Sequence, residues 1–465
     1  MILPGNMVKI FKFFKENPIF LLLVLFSPLF FYKLGQSSLI SWDEAWYAEV
    51  SRNIIKSGDP FNLFWNGSPF SDKPPGGFWL EAIAFKLFGV SNLTARLVSA
   101  FAGVFCVLVI YLLGTKLFNK LTGFICAVAL TSTTWFLYRS RFGDLDTLLT
   151  LFYLLVIYLG FLARENKKFL LPFSLVLAYL PMIKGLVFLP SVIPAVLIIF
   201  WGNKTYKIKD YLIPIVASVG LFGIWILFQA LHSPDLALYH FAHSLRNSST
   251  DTDILINLKQ FKDYLHDGMG RWFWPGILGV FLGFFLKNRG LLALSVFSLV
   301  YSVQFLFSPK VEIWHLIPLY PFMILSFFGS LNVIVERVNK QKRIMYLLIL
   351  IFALYISLPQ IKKMWFEFID IPAFVTDEEI LAKEAGKYPY PFYIDQSFEP
   401  SAVFYSGKDA HWENIYGLPQ LFDHKSTFVL IVKQYMLDDL KINPKDYTIL
   451  KKDRDKILIL YQPIR

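Results

Sequence analysis

About eleven apolar runs of bilayer length divide this chain, at about 18–34, 92–114, 121–138, 145–162, 169–183, 185–201, 210–231, 272–287, 290–307, 314–334 and 343–359. A backbone that crosses hydrocarbon must pair its own N–H and C=O groups, and runs of this length do so as helices. The composition agrees. Hydrophobic residues make up 55%, aromatic 18% and charged 17%, with a mean hydropathy of +0.51, outside the range of soluble globular domains. The expected fold is a polytopic α-helical membrane protein of about eleven spans, with thirteen as the upper count.

Orientation follows from the basic residues. With the N-terminus in the cytoplasm and sides alternating, "KLFNK" (116–120), "RENKK" (164–168), "NKTYKIK" (203–209), "KNR" (287–289) and "ERVNKQKR" (336–343) all fall inside. This distribution accounts for the net charge of +11 without invoking nucleic acid. Lys9, Lys12 and Lys15 precede the first run, and no small-residue cleavage site follows it, which reads as a retained helix rather than a signal peptide. Cys106 and Cys126 lie inside apolar runs and read as core residues. The expectation is a multi-pass inner (plasma) membrane protein with the bilayer as its immediate partner.

The same count puts 35–91, 139–144, the neighbourhood of Lys184, 232–271, 308–313 and the tail on the external, periplasmic side. Residues 1–359 then form a transmembrane domain. Its loop 35–91 carries amphipathic juxtamembrane helices, and 232–271 is a second large external loop. Residues 360–465 form a small external α/β domain: Thr376 and Glu379 have capping-box spacing, and "PFYI", "STFVLIVK", "YTILKK" and "KILILYQ" read as strands. No G-x-G-x-x-G or P-loop pattern occurs, which argues against a nucleotide-powered pump.

The external segments hold the candidate chemistry. In "SWDEAWYAEVSRNIIKSGDP" (41–60), Ser41 and Glu44 have the spacing of a capping box, and Tyr47, Val50 and Ile54 share one helix face. Glu44 therefore has a capping reading beside a catalytic one. Asp43 either complements the helix dipole or acts as a base; it needs no partner for capping and stands beside Trp42, where a carboxylate is costly. Lys73, before Pro74 and Pro75, is presented in an extended conformation and suits a phosphate or simply a loop; Gly76 and Gly77 permit close approach. Asp72 is either its counter-ion or a metal ligand. Arg139, Arg141, Asp144 and Asp146 crowd one span mouth, with an Arg141–Asp146 ion pair as the structural alternative. Lys184 before Gly185 either snorkels or lines a cavity. His243 and Arg246 lie within one turn, a histidine there being a weak metal signal. Lys310, Glu312 and His315 stand at the outer end of another span, where a solvated rim is the alternative.

The order Asp43, Glu44, Tyr47, Ala48, Glu49, Arg52, then Gly58-Asp59, Asn66-Gly67, Asp72 to Pro75, Phe88-Gly89 and Ala95 to Leu97 resembles the C-type glycosyltransferases. Within them it is similar to the bacterial branch of the protein mannosyltransferase superfamily, which includes the aminoarabinose transferases of lipid A modification. "LDTLLTL" (145–151), "KG" (184–185), "HSLR" (243–246), "IPLYP" (317–321) and "AVFYSGK" in the tail extend the resemblance over nearly the whole chain.

The resemblance implies inverting transfer of one sugar from a polyprenyl-phosphate donor, undecaprenyl phosphate in bacteria, to a lipid, glycan or protein acceptor of the cell envelope. It makes Asp43 the base toward the acceptor hydroxyl, with Glu44 beside it, and Asp146 a second important aspartate. Lys73, Lys184, Arg52, Arg246, Arg141 and His315 are the donor-phosphate candidates. Asp72 and His243 are the candidate ligands of a divalent metal (zinc, magnesium or manganese). Trp46 stands where the aminoarabinose transferases have an arginine, and His315 where they have a tyrosine, so the sugar and acceptor do not carry over. The chemistry is coherent without the family: a polyprenyl phosphate leaves readily and needs fixed cations, while the acceptor hydroxyl needs a carboxylate. The alternative from another class is a transporter or flippase for a lipid-linked sugar, which would use the same cations without a base.

Overall fold

Each of the apolar runs carries helix in this computed structural model, which describes residues 16–40, 42–186, 189–204, 206–232, 234–235, 254–308, 312–338, 341–395, 399–414, 416–423, 426–440 and 442–463. Among the described residues five helices are long and apolar enough to cross a membrane: Asn92–Leu117, Asp146–Glu165, Arg289–Leu306, Ile313–Arg337 and Lys342–Ile369. Some of the other runs form shorter helices where polar or helix-breaking residues interrupt them. The run at 121–138 divides at Ser132 and Thr133 into Lys120–Thr131 and Thr134–Arg139. The helix Leu170–Lys184 stops where Gly185 adopts φ +91°, a backbone state that disfavours side chains.

The chain divides into two units, one made of Met1–Lys33, Ser71–Gly77 and Leu97–Ile371, the other of Leu34–Phe70, Phe78–Arg96 and Pro372–Arg465. In the first, rings fill the centre: Phe297 lies 4.0 Å from Phe322 and 5.1 Å from Tyr153, centroid to centroid. The break at Ser132 is used for pinning. Its Oγ accepts from the Trp272 indole at 2.8 Å and lies 3.1 Å from Ser357 Oγ, while its carbonyl accepts from Gln360 at 3.0 Å. Such hydrogen bonds between helices hold register where apolar surface alone does not distinguish neighbours from lipid. Leu347, Leu348, Ile351 and Tyr355 on Lys342–Ile369 are exposed, as a lipid-facing helix surface requires.

The second unit is built on the tail's sheet and helices together with Asp43–Ser57 and most of Gly76–Phe88 from the first-loop region. The strands Phe64–Trp65 (β1) and Ser68–Pro69 (β2) are joined by Asn66 and Gly67, both at positive φ, the two-residue turn that favours Asn-Gly. Phe392–Asp395 (β3), Ala410–Glu413 (β4), Phe428–Lys433 (β5), Tyr447–Asp453 (β6) and Lys456–Tyr461 (β7) form a sheet in the order β4-β3-β5-β7-β6. β3 runs parallel to β4 and β5, and the β5, β7, β6 pairings are antiparallel. One face buries Phe392, Ile394, Val429 and Ile431, the other Phe428, Leu430, Val432 and Ile459. Covered on both faces, β5 reads as a continuous apolar run. The capping box appears as Thr376 Oγ1 accepting from Glu379 N at 3.2 Å.

The first-loop segments belong to the same unit as the tail and are hydrogen-bonded to it. Asn66 both donates to Ala410 O at 2.8 Å and accepts from Ala410 N at 2.7 Å. Tyr405 accepts from Leu39 N at 2.7 Å and donates to Asn92 at 2.9 Å. The helix Asp43–Ser57 buries Tyr47, Val50 and Ile54 and ends at Gly58, φ +72°. Against it Glu81 accepts from Ser51 Oγ at 2.8 Å, and burial pushes the Glu81 carboxyl up to about 8 despite that hydrogen bond.

The consequence is a pH-dependent stability. Between the ordinary carboxyl value of 4.5 and about 8 the folded chain holds a proton that the unfolded chain has released, so stability falls as pH rises through that window. Glu81→Gln should flatten this dependence; melting temperatures of the detergent-solubilised protein at pH 5 and pH 8 check it, and an unchanged slope would refute it.

Candidate active site

The local sequence fixes where the first unit places its charges. Beyond Lys73, Pro74 and Pro75, Gly76 lies so close to the helix Leu170–Lys184 that a methyl there would stand 2.6 Å from the Met182 carbonyl oxygen. The Gly76 carbonyl also accepts from the Tyr179 hydroxyl at 2.7 Å. This approach, which only glycine permits, docks the Asp72–Lys73 turn on the helix that ends at Lys184. Lys73 Nζ lies 2.8 Å from Asp72 Oδ2, the counter-ion arrangement.

Lys184 reaches Asp146 Oδ1 at 2.6 Å, with the two side chains 4% and 3% exposed. Asp146 is the first residue of Asp146–Glu165, where a carboxylate also meets the positive end of the helix dipole. Its N–H donates to Asp144 Oδ1 at 3.1 Å. Arg139, ending the helix Thr134–Arg139, is ion-paired with Asp144 and sits 4.5 Å from the Trp314 ring centroid. His315 occupies the turn Ile313–Leu316, its carbonyl accepting from Tyr301 OH at 2.8 Å. The charges of Lys184, Asp146, Lys73 and Arg139 all act on the His315 imidazole. The unit therefore gathers three cations, Lys73, Lys184 and Arg139, each held by a carboxylate, together with Asp146 and the His315 imidazole.

Arg139 rather than Arg141 joins this group. Two residues apart on a helix end, the arginines point about 200° apart, and Arg141 donates instead to Leu29 O at 2.8 Å and Tyr32 O at 2.7 Å. The alternative Arg141–Asp146 ion pair is replaced by Lys184–Asp146.

In the second unit, Asp43 is the half-buried first residue of Asp43–Ser57, while Glu44 is buried. The capping-box reading of Glu44 depends on Ser41, which lies outside the described residues; the helix itself starts after Trp42. Glu44 takes Arg96 bidentately, Nε to Oε1 at 2.6 Å and Nη2 to Oε2 at 2.9 Å, and accepts from Ile40 N at 2.7 Å. Arg96 also donates to the carbonyls of Leu34, Ser37 and Ser38. This long-range pair was not visible in the local spacing. Arg52 is ion-paired with Glu49 and donates to Phe404 O at 2.7 Å and Val403 O at 3.3 Å, a clamp on the tail helix Pro400–Ser406. His243 and Arg246 lie outside the described residues. Among the described residues no three His, Cys, Asp or Glu side chains group as metal ligands.

Residues 72–228 match the model of the family described as dolichyl-phosphate-mannose-protein mannosyltransferase, a segment that holds Lys73, Arg139, Asp146 and Lys184. The undecaprenyl phosphate-alpha-4-amino-4-deoxy-L-arabinose arabinosyl transferase 2 of Pseudomonas fluorescens is 27% identical over 48% of this chain and 40% of its own length. The crystal structure of ArnT from Cupriavidus metallidurans bound to undecaprenyl phosphate superposes with a TM-score of 0.76 at 14% identity, over 96% of this chain and 98% of that one. The chain is thus similar to this mannosyltransferase family over residues 72–228 and to an aminoarabinose transferase over about half its length, and it shares the fold of the ArnT structure. The archaeal oligosaccharyltransferase AglB from Archaeoglobus fulgidus shares the fold more distantly, with a TM-score of 0.55 at 13% identity over 85% of this chain and 64% of that one. The match spans about two fifths of the length of these curated relatives.

The buried pair gives a direct test of coupling. Lys184→Met strands the Asp146 carboxylate and should cost about 3–5 kcal/mol, whereas the double variant Asp146→Asn/Lys184→Met should unfold at a higher temperature than Lys184→Met alone. Additive losses in thermal unfolding would show that the two side chains are not coupled.

Proposed function

We propose that this chain is an inverting glycosyltransferase that moves one sugar from a polyprenyl-phosphate donor to a hydroxyl of an envelope lipid, glycan or protein. The observation that carries the reading is the cluster of Lys73, Lys184, Arg139 and His315 around buried Asp146. The relatives support the same donor class, since the ArnT structure holds undecaprenyl phosphate. The proposal includes the finer topology: about eleven spans, a cytoplasmic N-terminus, and a reaction on the external face of the inner membrane, with residues 360–465 as an external α/β domain.

In the proposed reaction the bond between the anomeric carbon and the donor phosphate breaks as the acceptor oxygen bonds to the opposite face of that carbon, which inverts it. Negative charge develops on the departing polyprenyl phosphate. Lys73, Lys184 and Arg139 are the cations assigned to bear it, already fixed by their carboxylates and so requiring little reorganisation, with the His315 imidazole beside them as a hydrogen-bonding group. Asp146 keeps Lys184 in place. Asp43 takes the acceptor proton, and Glu44, held by Arg96, positions the start of its helix. Arg52 and Arg141 are committed to main-chain carbonyls, and Arg246 is retained as a phosphate ligand on its sequence position alone. Trp46 and His315 differ from the aminoarabinose transferases, so the sugar is left open.

Asp43→Asn should leave donor binding intact and lower transfer by roughly 10²–10⁴-fold, read with purified protein, a radiolabelled polyprenyl-phosphate sugar and an envelope acceptor extract. Undiminished transfer would overturn the assignment of the base, and donor movement across vesicles without transfer would favour the flippase.

A divalent metal held by Asp72 and His243 is a separate proposal. Carboxylate and imidazole suit zinc or manganese and would supply Lewis acidity beside the phosphate, although Lys73 already balances Asp72, and no step above depends on the ion. Chelation followed by metal analysis should release one ion per chain and weaken donor binding; donor binding unchanged after chelation would dismiss it.

A further inference from the structure

Away from the charged cluster, but within the same unit, the helices Val192–Phe200 and Arg289–Leu306 leave a groove between them. It has a volume of about 470 Å³ and is lined by Pro194, Leu197, Ile198, Trp201, Arg289 and Leu292. That is within the roughly 300–1,000 Å³ of small-ligand sites. Four lining residues are purely aliphatic, and the two at the rim are a tryptophan and an arginine. Trp201 and Leu197 are strongly exposed, at 77% and 62%, which places this surface toward lipid.

The rim is built rather than loose. Arg164 caps the helix Val192–Phe200 by donating to Ile199 O at 2.5 Å and Trp201 O at 3.2 Å. Asn203 donates back to Arg164 O at 2.9 Å, and the Tyr206 hydroxyl donates to Ala163 O at 2.5 Å. Arg164 is thereby spent on carbonyls. Arg289, on the facing helix, makes no hydrogen bond or ion pair with any other described residue. It is the first residue of a helix 18 residues long whose N-cap Asn288 accepts from Leu291 N, so its guanidinium stands at the positive end of that helix. Exposed Lys287 lies two positions before it.

An apolar cleft that opens at a tryptophan and a planar guanidinium has the chemistry of a phospholipid: acyl chain along the cleft, phosphate on the fork. Basic pockets between transmembrane helices take anionic head groups in this way. We propose that this groove is a binding site for one anionic phospholipid, its phosphate on Arg289 and its acyl chain along Leu197, Ile198 and Leu292. A free phosphate would use only the guanidinium, whereas a lipid would use both ends of the groove. None of these residues belongs to the proposed reaction, so the site is structural or regulatory and separate from donor binding.

The test is native mass spectrometry of the full chain released from detergent after delipidation and titration with phosphatidylglycerol or, separately, phosphatidylcholine. The wild type should retain one phosphatidylglycerol that survives activation and that 10-fold excess inorganic phosphate, roughly as a lipid-versus-ion control, does not displace. Retention should fall roughly tenfold in Arg289→Gln and also in Ile198→Trp, which fills the cleft while keeping the charge. Both variants should melt with the wild type in lipid-free detergent, and Arg289→Lys, which keeps charge but not the fork, should bind with intermediate retention. Equal retention of the two lipids, or equal retention by wild type and both variants, would mean annular lipid only and would overturn the proposal. Displacement by inorganic phosphate would reduce the site to an anion contact and overturn it as well.

Discussion

A charge buried in a membrane protein has to be partnered inside the fold, and that requirement organises both units. In the first, Lys184 at the end of one helix meets Asp146 at the start of another across 2.6 Å, and Arg139 meets Asp144 across the turn that joins two helices. In the second, Arg96 binds Glu44 through two nitrogens and gathers three carbonyls of the segment before it. Desolvation offsets much of the attraction within each pair, so these contacts contribute little net stability. Their effect is selective. Any register that separates a pair leaves two bare charges in a low dielectric, and that penalty removes the alternatives.

Pairing also shapes the proposed chemistry. Lys73, Lys184 and Arg139 are each held by a carboxylate, so the cluster can be kept buried in a folded chain without a ligand. A phosphate entering it shares cations that already have partners, which moderates its affinity. That suits a site that must release a polyprenyl phosphate after every turnover better than a set of bare cations, which would bind the product as tightly as the developing charge. Catalysis gains only from interactions stronger in the transition state than in either ground state.

Local patterns were legible in the sequence where the cause was local. Apolar runs gave helices because hydrocarbon leaves the backbone no other partner. Gly185 after Lys184 marked a helix end because its φ suits glycine, and Thr376 with Glu379 marked a helix start. Long-range pairing was not legible. Glu44 shows capping-box spacing to Ser41, yet its partner is Arg96, 52 positions away. The arginines at 139 and 141 look equivalent in sequence, and helix geometry alone sends one to Asp144 and the other to main-chain carbonyls. β4, "AHWE", lacks the apolar density of its neighbours because it lies at the edge of the sheet, half exposed. The grouping of the first-loop segments with the tail rests on contacts such as Asn66 to Ala410, 344 positions apart, which no window along the chain contains.

Trp46 is held in place by aromatic packing. Its ring lies 5.8 Å from Trp65 and 5.3 Å from Phe70 in edge contacts, and Trp65 stacks on Trp412 at 5.5 Å. An arginine at this position would bring a charge with five donors that need anions or carbonyls. A tryptophan brings a broad apolar face whose neighbours are other rings, so the energy comes from dispersion and edge-to-face geometry rather than from charge. The aromatic partners around it make this preference a property of the local packing rather than of one side chain.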